Sequence, residues 1–122
     1  MKRDMDLLRD ILLTIEKCSD VPPKTLRIES FSCLCGSPAV ISMHIELLIE
    51  AGLIEAKPFP RDDYIKGFDI VRITFAGYDY LDSIRNAKVW YHVKEKIAAV
   101  GGATMDIIKA AAIEEVKKEL NI

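Results

Sequence analysis

What this chain lacks narrows its function sooner than what it contains. No stretch is apolar over the about 20 residues that a membrane-spanning helix needs. Behind Met1-Lys2-Arg3, the charged residues Asp4, Asp6, Arg9 and Asp10 interrupt any leader-like segment. A soluble, cytoplasmic chain without a membrane partner is the expectation. There is no G-x-x-x-x-G-K-[ST] loop, no G-x-G-x-x-G after a strand, no H-E-x-x-H and no G-x-S-x-G elbow. No catalytic residue, cofactor or enzymatic activity is therefore expected. An excess of positive charge is also missing: the formal charge is −2 and the pI about 5.7, whereas a nonspecific duplex binder is usually basic. Even the cysteines, Cys18, Cys33 and Cys35, are odd in number, which suits a reducing compartment better than a disulfide framework. Cys33 and Cys35 are spaced C-x-C. Joined by Cys18 and His44 or His92 they would make a zinc set, but the usual two-to-four-residue spacer and a second pair are absent. The expectation is small buried thiols in Phe31-Ser32-Cys33-Leu34-Cys35, and no metal.

What is present is organised around Ser37–Lys57. Ser37 is a good N-cap, and Pro38 suits the first helical position. Ile41, Ile45 and Leu48 repeat at helical spacing, with Leu47 and Ala51 widening the stripe. Gly52 stops the helix, and Leu53-Ile54 open a strand. A helix over 38–51 followed by Gly and Leu-Ile is how many winged helix-turn-helix domains leave their third helix for the wing. The wing itself is predicted as a hairpin, 53–57 against 68–73. Its long connection starts at Pro58 and ends at Gly67, and its two prolines blunt pairing.

Before this stretch, a helix over 4–17 carries Leu8, Leu12 and Ile15 on one face and should end near Ser19-Asp20, ahead of Val21-Pro22-Pro23. Residues 25–30 alternate and predict a short strand. Almost no room is left between Ile28 and Ser37 for the usual short second helix. After it, Thr74 caps a helix from Phe75 to about Asn86, with Tyr78 or Tyr80 at the margin of its packing face. A further helix covers 88–100, with Trp90 as a core or interface anchor, and Gly101-Gly102 breaks it. Thr104 caps a last helix over 105–120. The fold class expected is α+β: one winged-helix-like domain, 1–86 as core and 87–122 as a C-terminal helical extension. Apolar stripes on the last two helices suggest a homodimer.

Two binding readings compete. If 38–51 is a recognition helix, its N-terminal half enters a major groove. Ser37, Ser42, Met43 and His44 are then the exposed candidates for bases and phosphates, and Lys57, Arg61, Lys66 and Arg72 the candidates on the wing. Against this, the helix has no Lys or Arg, and its charges are Glu46 and Glu50. The alternative is a protein-interaction module on the same scaffold, without nucleic-acid binding or catalysis, anchored by Met43, Phe59, Tyr64 or Trp90.

The segments MKRDMDLLRDILLTIE, HIELLIEAGLIEA, ITFAGYDYLDSIR and VWYHVKEKI…GG…DIIKAAA together resemble a family of uncharacterised bacterial and prophage-type small proteins with a winged-helix-like fold. The resemblance implies that fold over nearly the whole chain. It carries no established activity, cofactor or catalytic residue to these positions, and its phage link implies a regulatory, DNA-binding role by association alone.

Overall fold

Leu7, Leu8, Ile11, Leu12 and Ile15 recur at helical spacing, and in the computed structural model they are the buried side of α1 (Met5–Cys18). The structure describes residues 1–18, 25–63 and 65–122. The residues expected to stop α1, from Ser19 to Pro23, lie outside them. The chain packs as two units, Met1–Tyr78 and Asp79–Ile122.

In the first unit, the expected strand over 25–30 is not formed. Leu26 alone bridges to Ile70, through N–H···O bonds of 3.0 and 2.8 Å in the two directions. The backbone then turns into a 3-10 helix, Ile28–Phe31. The reason is where the apolar residues fall. Ile28 and Phe31 are three apart and both are buried, which a three-residue turn satisfies and an alternating strand does not. One helical turn therefore fits between Leu26 and Ser37, where the sequence left no evident room. It also leaves Cys33 and Cys35 in solvent: both thiols, and Cys18, are free and exposed rather than buried.

α2 (Pro38–Glu50) begins as expected, Ser37 Oγ accepting from the Val40 amide at 3.3 Å. It ends in a Schellman motif. Gly52 N–H donates to Ile49 O and Leu53 N–H to Leu48 O, each at 3.0 Å, with Gly52 at φ +75°, a conformation that glycine adopts without a Cβ penalty. The chain reverses into an antiparallel ribbon of β1 (Ile54–Phe59) and β2 (Gly67–Ile73), with an irregularity at Glu55/Ala56. The ribbon is longer than the pattern suggested. Pro58 pairs opposite Phe68 and Phe59 opposite Gly67, because a proline is tolerated on an edge strand.

β2 is tied back to the end of α2 at Thr74. Its amide donates to Leu53 O at 2.9 Å, and its hydroxyl donates to Gly52 O at 2.6 Å while accepting from the Gly77 amide at 3.0 Å. That last bond caps α3 (Phe75–Ile84). Gly77 lies so close to the ribbon that a Cβ there would stand 2.0 Å from Leu53 O.

In the second unit, Asn86 does not extend α3. Its side chain caps α4 (Ala87–Ala98), accepting from the Lys88 and Val89 amides. Thr104 caps α5 (Met105–Leu120). Val89, Trp90, Val93, Ile108 and Ala112 are buried, and α4 packs on α5. Tyr80 is buried with Leu81 and Ile84, leaving Tyr78 as the marginal tyrosine of α3. Among the described residues no helix is long and apolar enough to cross a membrane. Among the described residues the architecture is a mixed α+β fold: helices, a small two-stranded antiparallel sheet, and additional C-terminal helices.

Candidate interaction face

Residues spaced three or four apart on α2 share a side. Ala39, Met43, Glu46 and Glu50 form such a row, with Met43 49% exposed. The row has an apolar half towards the helix N-terminus and an acidic half towards its C-terminus. Over it lies the end of the connection between β1 and β2. Ser42 Oγ donates to Lys66 O at 2.6 Å, and Lys66 Nζ donates to Glu46 Oε1 at 2.6 Å. That hydrogen bond, and then the Coulomb attraction of Glu46 and Glu50, raise the Lys66 pKa. Between helix and loop is an open groove of about 370 Å³ lined by Ala39, Ser42, Met43, Glu46, Ile65 and Lys66.

The residues singled out for nucleic-acid contact are only partly presented. Ser42 and His44, expected in solvent, are buried, at 3% and 1% exposure. The cause is polar satisfaction inside the fold. Ser42 holds the loop, and His44 joins two helices. Its Nε2 accepts from the Asp4 amide at 2.9 Å, and its Nδ1 lies 2.8 Å from Val40 O. An amide can only donate, so Nε2 is unprotonated and the proton sits on Nδ1, shared with the carbonyl.

On the ribbon, Arg72 pairs with Glu55 at 2.7 Å. Arg61 forks onto Asp63 at 2.9 and 2.7 Å and reaches Glu29 at 3.2 Å. The Arg61–Asp63 bond raises the guanidinium pKa and lowers that of the carboxyl. Ser37 is exposed but serves as a cap. The side chains of Lys57 and Met43 remain open, and the Lys57 ammonium has no hydrogen-bond or ion-pair partner among the described residues. Of the other proposed anchors, Trp90 is 4% exposed. Phe59 is half-buried beneath the Arg27 guanidinium, 4.3 Å from its ring centre, and Tyr64 lies outside the described residues. No group of three or more His, Cys, Asp or Glu is placed to hold a metal ion among the described residues.

Sequence reasoning missed Ile65 as a wall of the groove, Glu46 as the counterion of Lys66, and Arg27, which also pairs with Asp69 at 2.8 Å. These partners are distant in sequence, and no local period connects them.

A protein of Haemophilus influenzae described as "Uncharacterized protein" is 33% identical over 115 residues, covering 92% of either chain. No solved structure matches. A family profile described as "Hypothetical protein (DUF2513)" matches residues 2–104, its end falling just before α5. With most of its length covered by that profile, the chain belongs to the DUF2513 family.

Proposed function

We propose that this chain is a non-catalytic protein-interaction module on a winged-helix-like scaffold, docking its partner on the outward row of α2 and the loop beside it. The order of elements supports the scaffold: a helix, one residue bridged to the ribbon, a short helical turn, a second long helix and an antiparallel ribbon. The observation that carries the functional reading is that, Lys57 apart, the polar groups a duplex would draw on are already engaged within the fold. Ser42 and His44 are buried and bonded, and Arg61, Lys66 and Arg72 each hold a carboxylate. Binding phosphate would require breaking those pairs, and at Lys66 phosphate would also meet the repulsion of Glu46 and Glu50. The same face keeps an exposed methionine and an open groove, the kind of feature on which a protein side chain docks.

The test is a titration of the isotopically labelled chain with short duplexes of varied sequence at low salt. Amide signals of Ser37, Met43 and Lys57 are expected to stay in place. A photo-crosslinking residue replacing Met43 in cells is expected to give one discrete protein adduct, lost when Ala39→Arg fills the groove. Duplex-induced shifts that weaken with salt would overturn the reading in favour of DNA binding.

A further inference from the structure

Free cysteine is among the most buried of side chains, so an exposed pair two residues apart offers reactivity rather than packing. Cys33 and Cys35 are such a pair: both are free and exposed, while Leu34 between them is half-buried. With Leu34 turned towards the protein, its two neighbours stand on the solvent side. The pair lies after the 3-10 helix and before the Ser37 cap, where the backbone is turned, Leu34 N–H donating to Phe31 O at 3.0 Å. Two Cα–Cα steps of about 3.8 Å joined at such a bend span about 6 Å, inside the range that a disulfide bridges. Among the described residues no third His, Cys, Asp or Glu joins the two thiols to hold a metal ion.

We infer that Cys33 and Cys35 form a redox-active dithiol, which closes to an intramolecular disulfide by exchange with a low-molecular-weight disulfide such as oxidised glutathione. The thiolate of one cysteine attacks a sulfur of the small disulfide. The S–S bond breaks, and the released thiolate takes a proton from water. The second cysteine, as thiolate, then attacks the protein sulfur of the mixed disulfide and expels the other small thiol. The protein gives up two electrons and two protons, and the small disulfide becomes two thiols. Because the second step joins groups held two residues apart, it outruns attack by a free thiol. Cys18 is exposed as well but is alone in its segment, and stops at the mixed disulfide.

The test treats the reduced, isotopically labelled full-length chain with oxidised glutathione in the absence of denaturant, traps it by alkylation and digests it with trypsin. Both thiols fall in the peptide that begins at Ile28, which contains no other cysteine. That peptide is expected to be unalkylated, lighter by two hydrogens and free of glutathione. Cys33→Ser and Cys35→Ser, at exposed positions outside the core, are each expected to retain about tenfold more glutathione on it than the wild type, because the closing step is lost. Amide signals of the buried Ile45 and Leu48 are expected to persist in the oxidised wild type. Two thiols still open to alkylation, glutathione held equally by the wild type and the serine variants, or a disulfide to Cys18 or to a second chain overturns the inference. Loss of the core signals on oxidation overturns it too, by placing the reaction in the unfolded chain. The docking reading stands or falls separately, on the duplex titration and the Met43 cross-link.

Discussion

The two units of the chain hold themselves together by different means. In Met1–Tyr78, distant segments are joined by ion pairs such as Lys66–Glu46 and Arg61–Glu29 and, in addition, by side chains bonded to backbone: His44 to the Asp4 amide, Ser42 to the Lys66 carbonyl, Thr74 to the Gly52 carbonyl. In Asp79–Ile122, α4 and α5 are linked at their polar edge by charges, Lys96 on Glu115 and Lys88 on Glu119 at 2.9 Å, with Lys118 adding a second cation to Glu115 from within α5. A side chain bonded to a particular amide or carbonyl fixes one backbone geometry, and its loss leaves a polar group unsatisfied. An ion pair with its cation in solvent, such as Lys96 on the buried Glu115, tolerates more geometries and is partly screened by salt. The first unit therefore has its shape specified at a few irreplaceable atoms. The second has a redundant belt around a small core and keeps Tyr91, Val100, Ile107 and Leu120 exposed.

Substitutions separate the two kinds of linkage. Gly77→Ala should be the most damaging. Alanine is ordinarily the better helix residue, but here its methyl meets Leu53 O at 2.0 Å. A loss of about 3 kcal/mol in urea-unfolding free energy is expected from such overpacking, and a stabilised variant would show that α3 can move away from the ribbon. His44→Leu keeps the volume but leaves the Asp4 amide without its acceptor, for about 2 kcal/mol. Hydrogen exchange should locate that loss at the start of α1.

Thr74→Val removes the hydroxyl that serves both Gly52 O and the Gly77 amide, for about 1 kcal/mol, read from the same unfolding curves. Glu115→Gln should be mildest at neutral pH and should act mainly through acid. The Lys96 hydrogen bond holds the Glu115 pKa below the ordinary carboxylate value. Its contribution is therefore present above that value and lost as pH falls through the lower one. The wild type should lose thermal stability between roughly pH 5 and 3, and Glu115→Gln should flatten that slope. High salt should do the same, while leaving the effect of His44→Leu unchanged. Equal salt sensitivity in the two variants would erase the distinction between the units.

How far the sequence could be read follows the same division. Local signals were sufficient for α1, α2 and α5, where apolar spacing coincides with a cap at Ser37 or Thr104, and for the turn at Gly52. They failed at Asn86, an equally good last residue of one helix and cap of the next. They failed again at 25–31, where Leu26 and Ile28 alternate like a strand but Phe31 draws the chain into a turn. At the candidate face the exposure differs from the expected one. Ser42 and His44 look like surface residues by type, and only Lys66 and Asp4, 24 and 40 positions away, account for their burial. Which cations are neutralised is likewise a matter of tertiary pairing, as with Arg61 and Glu29 at a separation of 32.

Pro58 has one more consequence. A two-stranded ribbon has two open margins onto which another chain can be stitched, a common start of aggregation. Along β2, Leu26 already occupies part of one margin. Along β1, Pro58 interrupts the row of donors that an incoming strand would need. The open edge of β1 is thus protected from edge-to-edge pairing, and Pro58→Val is the change that would remove this protection.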